Sequence, residues 1–488
     1  MDVLITECGA VPDGKTLATK AIAQAIAAIA QHGGGRVVIP PGRFLTGMVR
    51  LCDHMELHFC PGSELIASPN PEDHLPLLHS PGAHGDLWHT GEDSYHLIAA
   101  LGLRHIRITG SGIINANGTA FYPDMGGQLG WPLAHHKDWR RPGAALLISK
   151  CQDVVIEDIT IGNVANWTCH LHESDRIRIR GLVIENPGEA PNADGIDITG
   201  CRGVSISDCN IDTCDDAICL KTMPSGRSCE NIAISNCVLR TSCVALKLGC
   251  TESFHDMRNV TMSNCTVRGS HRAVGLYSVQ GAVIENIAVD NVVCDTRTDL
   301  MFTRPIHMDL RHGSQDSPSG AIRNVRIAGL LAETNGRCLL TAESGAVLED
   351  IILRDVVLRY PCIDDPVVQG QSHGGSQFSN TTPWARVERA ALVAENVRRL
   401  MIDGLFIHWP TQGAGAPNGW QWQEKLANGS HTIFRPADWT PGPDCRFAAV
   451  SARNVQGGHL DARHLQAQYR DDTAVRLDDA CQWPVFSA

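Results

Sequence analysis

A short pattern recurs along most of this chain. It consists of an Asn, Asp or Gly turn residue, a run of alternating β-branched residues, and a second polar turn. It is seen in Asp153-Val154-Val155-Ile156-Glu157-Asp158 and Asp175-Arg176-Ile177-Arg178-Ile179-Arg180. It returns as Gly203-Val204-Ser205-Ile206-Ser207, Asn231-Ile232-Ala233-Ile234-Ser235 and Asn259-Val260-Thr261-Met262-Ser263, with later copies at Asn286, Asn324, Asp350 and Arg399. From Val204 to Ile287 the copies recur about every 28 residues, inside the range that marks solenoids. Alternation with a period of two means strands with one face inward. Helical crossovers would need 10–15 residues of 3.6-residue periodicity, and none separates these copies. The pattern excludes a βαβ sheet. It predicts an all-β fold, a single-stranded right-handed parallel β-helix running through residues 1–488 as one domain.

Composition fits that expectation. Forty-six glycines and 5% aromatic residues favour turn-rich β-structure over helical bundles. A formal charge of −12 argues against a general nucleic-acid binder, which needs a basic stripe to displace counterions. The 19 cysteines lack the paired spacing of a zinc site. They read as small apolar core residues with free thiols, because a chain this long without a secretion signal is no disulfide scaffold. Met1-Asp2-Val3-Leu4-Ile5-Thr6-Glu7 has neither a basic nor an apolar leader region, and no window reaches the length of a membrane span. A cytoplasmic location is expected, or a secreted one if the sequence was trimmed, with no membrane partner and a monomer or small homo-oligomer.

Residues 1–50 are expected to form an N-terminal cap and the first coils. Residues 15–31 carry Ala18, Ala21, Ile22, Ala25, Ile26 and Ile29 at helical spacing, followed by Gly33-Gly34-Gly35 as a stop. This predicts an amphipathic helix covering the open end of the solenoid. Residues 361–397 and 410–445, rich in Pro, Gly, Ser, Gln and Trp, are expected to be long loops, as is 120–142. The histidine-rich run from His79 to His96 lacks ligand-like spacing.

The chemistry concentrates in Asn192-Ala193-Asp194-Gly195-Ile196-Asp197 and Asp212-Thr213-Cys214-Asp215-Asp216. Asp194 and Asp215 are 21 residues apart, close to one coil, and should therefore occupy adjacent rungs about 5 Å apart. Asp215 and Asp216 read as strand neighbours, so both can reach one surface only through a bend or bulge. Crowded carboxylates repel, and at least one should hold its proton near neutrality, as glycoside hydrolysis requires. Asp197, Asp208 and Asp212 are expected only to cap turns. A calcium site is the alternative use of three carboxylates.

At these residues the chain resembles glycoside hydrolase family 28, the polygalacturonases and their relatives. Asn192-Ala193-Asp194 matches the family's Asn-Thr-Asp, and Cys214-Asp215-Asp216 its Gly-Asp-Asp, with the spacing between them kept. Cys8-Gly9-Ala10-Val11-Pro12-Asp13-Gly14, the segment Gly33 to Gly47, and Asn166-Trp167-Thr168-Cys169-His170 extend the resemblance over most of residues 4–300. It implies inversion at the anomeric centre, with Asp215 as general acid and Asp194 and Asp216 activating water. It implies no metal and no organic cofactor, and a pectin-related oligosaccharide or polysaccharide as partner. Two departures stand out. No histidine occupies Thr241 to Gly249, where the family has Gly-His-Gly, and Gly275 and Tyr277 stand where its two carboxylate-gripping cations belong. Substrate contacts are therefore expected from His170, Lys247, Glu252, Arg272 and Tyr277, with Lys247 facing outward because a charge in the core is costly.

Three readings follow. The first is a pectin-directed glycosidase, with attack at chain ends as the expectation. The second is a β-helix lyase or epimerase abstracting the proton beside a uronate carboxylate, with Lys247 or Tyr277 as base. The third is a non-catalytic glycan-binding solenoid.

Overall fold

The computed structural model describes residues 1–74, 95–124, 141–298, 303–313, 318–364, 366, 382–410, 446–469 and 472–487, plus the backbone of 78–79, 93–94, 421–422 and 433–434. The chain divides into two compact units, Met1–Leu239 and Arg240–Ala488.

In the first unit, successive coils each give one strand to three parallel ladders. One ladder stacks β1 (Leu146–Ser149), β2 (Cys169–His172), β3 (Ile196–Thr199) and β4 (Ile218–Thr222) in continuous register. A second stacks Arg104–Gly110, Gln152–Glu157, Asp175–Arg180, Arg202–Ser207 and Cys229–Ser235. The third stacks Ile113–Asn115, Thr160–Gly162, Val183–Glu185 and Asn210–Thr213. This is the expected parallel β-helix. Apolar residues align from rung to rung, as in Ile156, Ile179, Ile206 and Ile234, all buried. The cysteines among them are free thiols.

Helix α1 (Thr19–Gln31) packs against the strands of the first coils through Ala21, Ile22, Ala25, Ile26 and Ile29. It starts later than its apolar spacing suggested. Strand Asp13–Leu17 comes first and pairs with Gly42–Thr46 at Asp13 and Leu17, and the register shifts between them where the Asp13 carboxylate accepts the backbone N–H groups of Lys15 and Thr16 (2.8 and 2.7 Å). The glycine stop is steric: a Cβ on Gly34 would stand 2.5 Å from the His54 carbonyl oxygen.

The second unit repeats the architecture with longer strands. One ladder stacks β5 (Val244–Ser253), β6 (Arg272–Ser278), β7 (Arg304–Leu310) and β8 (Cys338–Ala342). The other ladder joins Met257–Arg268, Val283–Asp295, Ala321–Glu333, Leu348–Arg359, Ala390–His408 and Ala448–Asp461. Asparagines in the left-handed region turn the chain within these strands. Their side chains form ladders: Asn286 donates to Asn259 (2.9 Å), Asn291 to Asn264 (2.7 Å) and Asn324 to Asn286 (2.6 Å). Asn tolerates this backbone better than most residues, and stacking satisfies its amide.

The expected loop over 361–397 is corrected at its end. Pro383–Val387 forms a short helix and Ala390–His408 a strand paired with Cys338–Thr341, since the apolar run Ala390 to Ala394 suits a buried ladder. Residues 367–381, the stretch 411–445 apart from the backbone of two short strands, most of 120–142 and most of the histidine-rich run lie outside the described residues. His96 is described. It is buried, bonds the Ala144 carbonyl oxygen (2.8 Å), and burial pushes its pKa down to about 4.

Two substitutions test this account. Ile206→Ala should cost about 2–5 kcal/mol, the range for emptying a packed core position. Asn291→Ala should cost about 1–2 kcal/mol, the strain of an ordinary residue in left-handed backbone, whereas Asn291→Gly should recover most of that loss. Denaturant midpoints followed by circular dichroism give the ranking.

Candidate active site

Alternation along the β1–β4 ladder sorts its residues. Ile196 and Ile198 stack on Ile218 and Leu220 and face the core. The opposite side carries two columns, His170–Asp197–Cys219 and His172–Thr199–Lys221. These polar residues point away from the core, yet all are buried. His170 bonds Thr199 Oγ1 through Nε2 (3.0 Å) and meets the Trp167 ring edge-on at 4.9 Å. Burial pushes the His172 pKa down to about 4.

The turns feeding β3 and β4 hold the three aspartates. Asp194 sits just before β3, after Asn192 in left-handed backbone. Asp215 and Asp216 lie in a bend between Asn210–Thr213 and β4, not in a strand, so strand pleating does not separate them. The two turns are one rung apart. Gly195 N–H donates to Asp216 O (2.8 Å) and Asp215 N–H to Ala193 O (3.1 Å). That approach requires Gly195, whose Cβ would fall 2.4 Å from the Ala217 carbonyl oxygen. Two buried side chains brace the turns. Asn186 donates to Thr168 and Thr213 hydroxyls (2.8 and 3.0 Å), and Arg141 donates to the carbonyls of Ala165 and Pro191 and to Asn192 Oδ1 (each 3.1 Å).

One carboxylate oxygen of Asp194, one of Asp216 and the Cys219 thiol lie within 4.8 Å of one another. Cys219 faces outward, so this group gathers on the polar side of the ladder. Asp215 is the most exposed of the three at 7%, against 2% for Asp194 and 1% for Asp216. Its Oδ1 accepts the Asp216 N–H (2.9 Å). The donor set does not suit calcium. A thiol is a poor ligand for a hard cation, and an ammonium already stands beside Asp194.

That ammonium belongs to Lys221, which the sequence did not single out. Its Nζ lies 3.0 Å from Asp194 Oδ2 and 2.7 Å from Asp197 Oδ1, and 3.6 Å from the centre of the Trp167 ring. Asp197 is no turn cap. It lies within β3, completely buried, and its carboxyl is pushed well above the usual range by burial and then by the charge of Asp194. Asp208, by contrast, occupies left-handed backbone and accepts from Asn236 (3.3 Å), as a turn residue should.

The second unit holds the remaining expected contacts. Lys247 alternates with core-facing Leu246 and Leu248, so it points outward, but at 7% exposure it is not a solvated lysine. Glu252 is buried and accepts from Thr251 (2.9 Å). Arg272 and Arg304 are Cα partners at the starts of β6 and β7. Arg272 Nη1 donates to Tyr277 Oη (3.2 Å), which also meets His307 Nδ1 (3.2 Å), and Arg304 Nη1 meets the same nitrogen (3.2 Å). Burial, then the charges of Arg272 and Arg337, drive the Arg304 pKa well down. Burial pushes Tyr277 up to about 12. Its ring fills the space beside Gly275, where a Cβ would approach it to 2.5 Å. Arg304 and His307 were missed because no family motif marks them.

Comparison with known proteins identifies the family and the fold. The sequence model of glycosyl hydrolases family 28 matches residues 86–362. A probable polygalacturonase from Vitis vinifera is 30% identical over 45% of this chain and 44% of its own length. An exo-poly-alpha-D-galacturonosidase from Dickeya chrysanthemi is 28% identical over 44% of this chain and 41% of its own. The chain thus spans less than half the length of these curated relatives. A hyperthermoactive exopolygalacturonase from Thermotoga maritima superposes with a TM-score of 0.65 at 21% identity, covering 84% of this chain and 92% of that one. The family 28 exopolygalacturonase of Yersinia enterocolitica gives 0.64 at 18%, covering 94% and 78%. At such identities the structures speak for the shared fold, while the sequence match covers more than half of the chain, which belongs to glycosyl hydrolases family 28.

Proposed function

We propose that this chain hydrolyses glycosidic bonds of uronate-containing pectic oligosaccharides with inversion, working from a chain end. The observation that carries this reading is the adjacent-rung pairing of Asp194 with Asp216, oxygens within 4.8 Å on the outward polar face, beside Asp215. In this reading Asp215 protonates the leaving oxygen. Asp194 and Asp216 hold a water and accept its proton as its oxygen attacks the anomeric carbon. The Asp216 N–H bond to Asp215 Oδ1 helps fix that carboxyl in place. Family membership supports these roles, and the three exo-acting relatives support attack at chain ends.

Paired guanidinium groups suit a sugar carboxylate, since charged hydrogen bonds from Arg match its geometry. We assign that task to Arg272 and Arg304, ordered by Tyr277 and His307, in place of the family's two cations. His170, Lys247 and Glu252 supply hydroxyl contacts. Tyr277 is disfavoured as the base of a lyase, because burial pushes its phenol up to about 12 and leaves it protonated at neutral pH. The free thiols of the described cysteines support action in a reducing compartment.

Asp215→Asn should cut turnover by about 10²–10⁴-fold, the usual weight of general acid catalysis, with binding nearly unchanged. Heavy-oxygen water should label the new reducing end, and a defined oligomer should shorten one sugar at a time. A product absorbing in the ultraviolet would overturn hydrolysis, and scattered cuts would overturn end attack. Arg304→Met should lower kcat/KM on uronate substrates about 10- to 100-fold, as expected for a lost charged hydrogen bond, and leave methyl-esterified substrate little affected. Equal losses on both would reject the carboxylate assignment.

A further inference from the structure

Lys221, Asp197 and Asp194 place two carboxyl groups around one ammonium, with side-chain exposures of only 4, 0 and 3%. Charges removed from water must be balanced closely, and two carboxylates sharing one cation cannot both stay ionised cheaply. Retaining one proton would meet the remaining imbalance. Asp197 is the more deeply enclosed carboxyl, inside a strand, whereas Asp194 lies in the turn that approaches Asp216. His170 and His172 on β2, Cys219 on β4, Asp215 and Asp216 are further titratable groups on this face of the first unit.

We propose that Lys221 is a positioning residue for Asp194. Its ammonium is shared with a protonated Asp197, so that Asp194 remains the ionised member and its carboxylate is held in place beside Asp216. Three constraints immobilise the ammonium: one oxygen from each carboxyl group, and the Trp167 ring 3.6 Å beneath it. A cation over an indole face is attracted by the ring quadrupole, and a desolvated one more strongly. The pushed-up carboxyl of Asp197 agrees with this assignment. Lys221 thus acts through Asp194 and need not touch substrate. The inference deepens the hydrolase reading and rests on it for its kinetic consequences, but not for where the proton resides.

The position of the proton makes the two partners of Lys221 unequal, and that asymmetry can be measured. Asp197→Asn replaces a neutral acid by a neutral amide of the same shape, so kcat should stay within about threefold of the parent. Lys221→Met should lower kcat about 100-fold with KM little changed, the scale of a misplaced catalytic group. Lys221→Arg, which keeps the charge, should recover about tenfold of that loss. Infrared difference spectra of parent against Asp197→Asn at neutral pH should show loss of one carboxylic-acid carbonyl band. A loss of activity in Asp197→Asn as large as in Lys221→Met would overturn the proposal, as would a difference spectrum showing loss of ionised carboxylate instead. If Lys221→Met fails to fold, the Arg variant and the infrared measurement still decide. If the parent hydrolyses no pectic substrate, the functional reading fails, while the spectra still locate the proton.

Discussion

Parallel hydrogen bonding between successive coils governs everything else in the first unit. Each rung lies about 4.8 Å above the last, and register is fixed by the apolar columns facing the core. A slip of one residue would turn Ile196, Ile198, Ile218 and Leu220 outward and bury Asp197 and Lys221 in hydrocarbon. The hydrophobic columns therefore do more than stabilise the coil. They determine which polar side chains share the opposite face, and they set the distance between turns that carry Asp194 and Asp216. The backbone bonds from Gly195 to Asp216 and from Asp215 to Ala193 are the local expression of that register.

Such a scaffold creates an electrostatic problem along with the site. Stacking places acidic turns on adjacent rungs, and burial removes the water that would screen them. Carboxylates gathered this closely need a compensating charge or a retained proton. The first unit uses both: Lys221 supplies one cation, and Asp197 is held toward its neutral form. The second unit meets the opposite problem, with Arg272 and Arg304 on adjacent rungs and Tyr277 and His307 between them. Each unit thus buries a cluster of charged groups, which a fold stabilised only by apolar columns has no reason to do.

Much of this was legible in the sequence, for a definite reason. Alternation within a strand and the copy-to-copy interval are local signals, so the solenoid, the helix face and the 21-residue step from Asp194 to Asp215 could be read directly. The bend at Asp215 and Asp216 was anticipated only as a necessity, because nothing in Cys214-Asp215-Asp216 distinguishes a bend from a strand. Lys221 was invisible for a deeper reason. In Ile218-Cys219-Leu220-Lys221-Thr222 it reads as the exposed end of a strand, and its partners are 24 and 27 residues away on another coil. Loop lengths vary between coils, so no fixed spacing marks such pairs. Asp197 was misread because Asp in a repeat of Asp-capped turns has the appearance of one more cap.

The departure from family pattern in the second unit follows the same logic. Reading along one strand, Gly275 and Tyr277 look like the loss of two cations. Across rungs they look different. Absence of a side chain at 275 lets the Tyr277 ring lie back beside the strand, and its hydroxyl then meets both Arg272 and His307. His307 is the Cα partner of Gly275, and Arg304 that of Arg272, so the cations gathered here come from strand starts and from the next coil. A solenoid can move a charged group from one rung to its neighbour while displacing it by only about 5 Å. A charged group can therefore stay near one place in space while its motif disappears from the sequence, and the proposed assignment of carboxylate binding to Arg272 and Arg304 draws on that property.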